Sequence, residues 1–431
     1  MSRLLDIALI DGDGDLSIKP SDLEIYNIRS HPVSASDTAA FQGMDAIVIC
    51  TSDIARAQLL RQDILRLSRS RPPIILISDN DTPPEGFDGW LRRPVSPVQL
   101  ATRIQSLRRL WVMEDVARRR KAAAEVFGHT IADDGIADQK ASVLFVGEAT
   151  SRFMAIRHAL NAAETGMVAA FSSFSAFDYL HERPFDAVIL NAIGKRELAF
   201  TISSAMRRNA RLYHTPVLLL APAGRFEAAD EAFARGVSDI LTDTASPAEI
   251  SARVLRLANE RRRRRQAKAV LENCRARATV DADLGLYRQK VALAHLQDLL
   301  NTASSARKAT GLVLCEIERA DTDVSAEKLH GAQQQFASML RHLLRAEDCP
   351  ALFGPDLYGA ILPYTDRDGA LCVAERIAAV AECTAFDSDD PLRPFRLNVS
   401  CIAVEASGEE TAEALVERGR RMLDAARLEA V

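Results

Sequence analysis

Short apolar runs alternate with longer helix-like stretches in two successive cycles along the chain. In the first, over residues 4–110, the runs are Ile7-Ala8-Leu9-Ile10, Ala46-Ile47-Val48-Ile49 and Pro73-Ile74-Ile75-Leu76-Ile77. In the second, from Ala141 to Glu260, they are Val143-Leu144-Phe145-Val146, Ala187-Val188-Ile189-Leu190 and Pro216-Val217-Leu218-Leu219-Leu220. Unbroken apolar runs of this length suit central strands of a parallel sheet, buried on both faces. Each cycle closes on a proline-initiated helix, at Ser96-Pro97-Val98 and at Ser246-Pro247-Ala248. The pattern predicts two tandem α/β domains, over residues 1–125 and 140–260. Helix signals then continue without Gly or Pro through the five arginines 261–265 to Ala278, predicting a helical linker over 261–280.

A different pattern fills residues 281–431. Strand-like runs Leu312-Val313-Leu314-Cys315-Glu316 and Leu397-Asn398-Val399-Ser400-Cys401-Ile402-Ala403-Val404 flank a hairpin. That hairpin pairs Leu352-Phe353 with Ala360-Ile361-Leu362 across a turn at Gly354. Helices are predicted at 326–344, 366–381 and 411–428. This is a third α/β domain, with a mixed, hairpin-containing sheet.

Length agrees with three domains, since 431 residues is about three times an ordinary domain. With 48% hydrophobic residues each can bury a core, and a net charge of −5 gives no global pull toward nucleic acid or membrane. The arginine run reads as a solvated stalk helix or one paired across a dimer. No apolar stretch nears the roughly 20 residues that span a bilayer, and Asp6 interrupts any signal-peptide pattern. Seven cysteines without Cys-x-x-Cys read as reduced core residues, and eight scattered histidines give no zinc or nucleophile relay.

The first two domains resemble the receivers of response regulators, which use an acidic pair to hold Mg²⁺, an Asp as phosphoacceptor, a hydroxyl and a Lys. In the first, Asp11 and Asp13 stand for the acidic pair and Ser78 for the hydroxyl. Cys50 takes the phosphoacceptor position, and Arg93-Pro94 that of Lys-Pro. In the second, Gly147-Glu148, Asn191, Ala221 and Asp243 occupy the corresponding positions. Both read as docking and dimerisation scaffolds without phosphorylation chemistry.

The third domain resembles the GGDEF, or diguanylate cyclase, family over residues 281–431. The signature turn reads Gly354-Pro355-Asp356-Leu357-Tyr358, so a ring replaces the second glycine and one carboxylate is gone. Glu316 stands where the family has a metal-binding Asp, His330 where it reads the base, and Ala425-Ala426 where it has Ala-Lys. Ala320-Asp321-Thr322-Asp323 replaces the guanine-recognition stretch. No catalytic residue and no cofactor is assigned; metal binding at Glu316 and Asp356 stays open. An Arg-x-x-Asp box is kept at Arg345-Ala346-Glu347-Asp348, nine residues before Gly354. Placed on one face of a helix end, Arg345 pairs with phosphate and the O6/N7 edge of guanine, and Asp348 accepts from guanine N–H groups. The family's second arginine falls at Arg376.

The resemblance implies an α/β protein of two receiver-like, flavodoxin-like domains and a degenerate GGDEF domain. It implies a cytoplasmic, cell-cycle effector that binds cyclic di-GMP through Arg345, Asp348 and Arg376. Such an effector moves to a cell pole and, with a second adaptor, delivers regulators to the ClpXP protease. A homodimer through the receiver-like domains is expected, with no nucleic-acid partner and no membrane insertion. Two alternatives stay open: a weak diguanylate cyclase resting on Glu316 and Asp356, and a receiver-regulated signalling scaffold.

Overall fold

The computed structural model of the protein describes residues 4–14, 18–34, 37–67, 71–80, 82–131, 140–222, 229–306, 308–318, 324–390 and 392–430. The chain falls into two compact units. One is built of Leu4–Trp111 and Asp134–Gln266, the other chiefly of Val112–Asp133 and Ala267–Val431.

The first unit holds two parallel sheets. In one, β1 (Leu5–Asp11), β2 (Ile28–Pro32), β3 (Ala46–Cys50), β4 (Ile74–Ser78) and β5 (Gly89–Arg92) lie in the order β2-β1-β3-β4-β5. Every residue of β3 and β4 is buried, which is why both read as unbroken apolar runs. Helices α1 (Pro20–Glu24), α2 (Ile54–Leu67) and α3 (Pro97–Val126) follow β1, β3 and β5. The alternation of helix and strand is thinner than the sequence pattern implies. The β2–β3 connection holds only a 3-10 turn at Thr38–Phe41. No helix lies among the described residues between β4 and β5, where Pro83-Pro84 and Gly86 oppose one.

The other sheet orders β6 (Ser142–Val146), β7 (Gly166–Ala170), β8 (Ala187–Asn191), β9 (Val217–Ala221) and β10 (Asp239–Thr242) as β10-β9-β8-β6-β7. Its helices are α4 (Ser151–Ala162), α5 (Ser173–Glu182), α6 (Arg196–Arg208), α7 (Ala229–Ala234) and α8 (Pro247–Asn273). Both sheets are doubly wound, an arrangement that gathers functional residues at the carboxyl ends of the central strands.

Buried ion pairs join the two sheets. Asp239, at the start of β10, accepts from Gln99 Nε2 of α3 at 2.7 Å and from Arg253 Nη1 of α8 at 2.9 Å. The Arg253 guanidinium stands 5.5 Å from the centre of the Trp90 ring on β5. Arg92 pairs with Glu249 at 2.9 Å, and Arg103 with Glu260.

The second unit is built on one antiparallel sheet. Here β11 (Thr310–Glu318), β12 (Cys349–Leu352), β13 (Leu357–Pro363) and β14 (Asn398–Glu405) are ordered β12-β13-β11-β14. The helices are α9 (Gln289–Ala306), α10 (Ala326–Leu343), α11 (Arg367–Cys383) and α12 (Ala412–Ala430). Alternation along β11 divides the core. Leu312 and Leu314 pack with α9 and α12 residues such as Leu296 and Leu415, while Val313 and Cys315 pack with Phe336 and Ile377 of α10 and α11. The distal half of α3 belongs to this unit: Val116 and Ala117 pack on Ala267 and Leu271, and Ala124 joins the cluster around Leu296.

Asp239 is the acceptor on which two buried donors converge. Asp239→Ala is expected to destabilise the first unit by about 3–5 kcal/mol, the usual cost of stranding one partner of a buried pair. Thermal or denaturant unfolding measures it. A loss under about 1 kcal/mol would mean that water satisfies Arg253 and that the interface does not rest on this carboxylate.

Candidate functional site

The Arg-x-x-Asp box lies just beyond α10. Leu344 is extended, with φ −97° and ψ 158°, so the helix stops at Leu343. Arg345 and Asp348 therefore do not share a helical face, as the spacing predicts; they close a turn. The Asp348 N–H donates to the Arg345 carbonyl at 3.2 Å, and Asp348 Oδ2 accepts from the Arg345 N–H at 2.9 Å. A short carboxylate that caps a nearby backbone N–H competes with the helix in this way. The turn leads straight into β12 at Cys349.

The two named side chains have opposite surroundings. Asp348 is 5% exposed, whereas Arg345 is exposed and its guanidinium makes no hydrogen bond or ion pair among the described residues. Asp348 Oδ1 likewise makes no hydrogen bond among them. Arg376 reaches the same place from α11, donating from Nη2 to the Leu343 carbonyl at 2.8 Å. The structure thus brings Arg376 to the end of α10, two residues before Arg345. Among the described residues, Arg345 thus presents an exposed guanidinium without a hydrogen bond or ion pair, Arg376 caps the end of α10, and Asp348 is a buried carboxyl.

Sequence reasoning misses a further contributor. Arg120 of α3 is 2% exposed and donates from Nη1 to the Asp348 carbonyl at 3.1 Å and from Nη2 to the Glu347 carbonyl. Its guanidinium stands 5.5 Å from the centre of the Tyr287 ring. In the sequence it sits in Arg118-Arg119-Arg120-Lys121, which looks like a solvated face. The available signal is its spacing: Val116, Arg120 and Ala124 fall at i, i+4 and i+8, one buried stripe.

The cyclase-like positions are arranged otherwise. Glu316, on β11, pairs with Arg427 of α12 at 3.1 Å. Phe353 N–H donates to the Leu357 carbonyl at 2.8 Å and closes the hairpin turn. A Cβ at Gly354 would come 3.2 Å from an Arg420 nitrogen. Asp356 accepts from Gln333 Nε2 at 3.3 Å, and Leu357 is buried in the core beside Leu314. His330 is exposed on α10, within 3.3 Å of Gln334. Ala425 and Ala426 lie on α12. The stretch 320–323 lies outside the described residues.

At the carboxyl edge of the first sheet Arg93 fills the acidic pocket. Its guanidinium donates to Asp13 and to Asp79 at 2.8 Å each, to Cys50 Sγ at 3.1 Å and to Ser52 Oγ at 3.3 Å. The bond from Arg93 holds Asp13 below the usual carboxylate range, while burial pushes the Cys50 thiol up. Ser78 Oγ accepts from Trp90 Nε1 at 3.1 Å, and Asp11 accepts from Gly14 N–H at 2.9 Å. In the second sheet Asn191 accepts from Ile193 N–H at 3.1 Å, and Glu148 pairs with Lys195 at 2.8 Å.

No protein-family profile matches the chain. The response regulator PleD of Caulobacter vibrioides is 25% identical over 395 residues, covering 87% of this chain and 83% of that protein. Solved structures that resemble it include the GGDEF domain of DgcB from Caulobacter crescentus in complex with c-di-GMP. That match has 17% identity, 36% of this chain, 91% of that one and a TM-score of 0.34. The FimX GGDEF domain from Pseudomonas aeruginosa matches with 20% identity, 35% and 94% coverage and a TM-score of 0.32. The similarity to the response regulator PleD runs through the parts of the chain that form the two parallel five-stranded sheets and the antiparallel hairpin sheet. No helix among the described residues is long and apolar enough to cross a membrane.

Burial, and then the nearby Glu347 charge, push the Asp348 carboxyl up to about 7. An acid whose folded pKa exceeds its unfolded value of about 3.9 takes up protons on folding. Stability therefore falls as pH rises from about 4 to about 7, and the penalty is complete above that range. Asp348→Asn keeps an oxygen for the Arg345 N–H and removes the titration. The variant is expected to gain on the order of a few kcal/mol over wild type at pH 8, and none at pH 4. Melting temperatures measured across that range test it; an equal difference at both ends would show that Asp348 does not titrate there.

Proposed function

We propose that the chain is a cyclic di-GMP-binding effector rather than an enzyme, with Arg345, Asp348 and Arg376 as the ligand-binding residues. The observation that carries this reading is the closed turn, which leaves the Arg345 guanidinium exposed and without a hydrogen bond or ion pair among the described residues, while Arg376 holds the end of α10 two residues earlier. Arg345 supplies a planar fork for phosphate or for the Hoogsteen edge of guanine. Asp348 Oδ1 accepts from guanine N–H groups, and Arg376 adds a second positive charge.

The cyclase-like and receiver-like positions support the same reading. Arg427 pairs with Glu316, and Leu357 packs in the core where the family has a carboxylate, which supports a reading without two-metal phosphoryl transfer. Arg93 and the buried Cys50 thiol take the places of the lysine and phosphoacceptor of a receiver. In this combination the chain resembles PopA, a receiver–receiver–GGDEF protein with degenerate catalytic positions and a kept box. On that resemblance it works in the cell cycle. Ligand would favour one arrangement of the protein and thereby recruit an adaptor that delivers regulators to ClpXP at the cell pole.

Isothermal titration of the full chain with cyclic di-GMP tests the site. Arg345→Ala is expected to lose at least 100-fold in affinity and Arg376→Ala about tenfold, equal to about 1.4 kcal/mol. Undiminished binding by Arg345→Ala would refute the site. Incubation with GTP and Mg²⁺ or Mn²⁺ should give no cyclic di-GMP; product formation would instead establish the cyclase alternative.

A further inference from the structure

The box is not held by its own domain segment alone. Helix α3 starts directly after β5 of the first sheet, and its distal half is seated in the second unit. Three polar links fix that half. Tyr364 Oη donates to Asp115, Arg119 donates to Asp298 Oδ2 at 2.7 Å, and Arg120 caps the Glu347 and Asp348 carbonyls. Tyr287, under the Arg120 guanidinium, donates its N–H to the Pro350 carbonyl and accepts from Leu352 N–H, each at 2.9 Å. The two peptide groups that flank Asp348 are therefore clamped by Arg120, and Asp348 in turn holds the Arg345 N–H, while Tyr287 pins the following strand.

Such a clamp is consequential because the guanidinium and the Asp348 carbonyl are buried. Without Arg120, the buried Asp348 carbonyl would lose its donor, and an unsatisfied buried carbonyl favours re-orientation of its peptide group. Rotation of either peptide group swings the Asp348 carboxyl and breaks its bond to the Arg345 N–H. An ion-pair role explains Arg120 less well: its hydrogen bonds go to carbonyls, and its Nε has no partner among the described residues.

We propose that Arg120 is a positioning residue of the ligand site, and that seating of the distal half of α3 and order in the box form a single equilibrium. This rests on the reading of the box as a cyclic di-GMP site. Ligand that requires the ordered turn must favour the seated helix, and by reciprocity the seated helix must raise ligand affinity.

The test uses the full chain as wild type, Arg120→Gln and Arg120→Lys. Calorimetric titration with cyclic di-GMP should show at least a tenfold loss for Arg120→Gln. Arg120→Lys should regain part of it, since an ammonium still donates but cannot fork across two carbonyls. Hydrogen exchange without ligand should quicken at amides 345–349 in Arg120→Gln. In wild type, cyclic di-GMP should slow exchange at amides 116–126. Lower melting temperature with unchanged affinity would reduce Arg120 to a structural role and overturn the proposal. Ligand that protects the box but not 116–126 would overturn the shared equilibrium, a measurement that needs no variant. Absence of binding by wild type would overturn the ligand reading itself; exchange at 345–349 would then still tell whether Arg120 holds the turn.

Discussion

A buried guanidinium cannot shed its charge, and it carries five N–H donors in a fixed plane, so the surrounding chain must supply acceptors in that plane. Three arginines impose this constraint on the molecule. Arg253 gathers Asp239 and, through it, Gln99, and so binds one parallel sheet to the other. Arg93 gathers Asp13, Asp79, Cys50 and Ser52 at the carboxyl edge of the first sheet. Arg120 gathers two consecutive peptide carbonyls and fixes the turn that carries Arg345 and Asp348. The interface, the receiver-like pocket and the candidate ligand site each take their local geometry from one such group.

The same constraint bears on chemistry. A carboxylate cluster that binds Mg²⁺ does so because a mobile divalent ion is its best available cation. A guanidinium tethered in the cluster competes at high effective concentration and never dissociates from the chain. Arg93 stands in that relation to Asp13, and Arg427 to Glu316. At both places the carboxylates have a partner within the protein, and a metal would have to displace it. At Arg345 the relation is inverted. There the cation is the group without a partner in the described structure, as a receptor for an anionic ligand requires.

Much of this was legible in the sequence. Unbroken apolar runs located the central strands of both parallel sheets, because burial on two faces leaves no room for polar alternation. The hairpin and helices α10 to α12 were placed within a few residues. The turn after α10 was not, and the box was placed on the helix end instead; Asp348 caps the Arg345 N–H and closes a turn there. Arg120 escaped notice for a related reason. Four successive basic residues look solvated, and only the packing of α3 against Tyr287 and the box separates the buried one from its neighbours. Leu357 was read as a lost carboxylate, and the structure adds that it is a core residue. No sequence rule pairs Arg427 with Glu316, 111 residues apart, because that contact exists only once α12 docks on β11.

The Asp348 carboxyl ties these strands together. A carboxyl held near neutrality by burial is poised between two uses. Protonated, it costs the fold little and the turn persists through one hydrogen bond from Arg345 N–H. Ionised, it accepts more strongly, and paired guanine N–H donors would offset the burial that disfavours it. The proposed ligand therefore supplies an ordered set of donors and anions against one carboxyl and two guanidiniums. Arg120 makes that gain depend on α3, because the carbonyls it caps belong to the peptide groups from which Asp348 projects. On the proposed reading, occupancy of the box and seating of the distal half of α3 are one equilibrium.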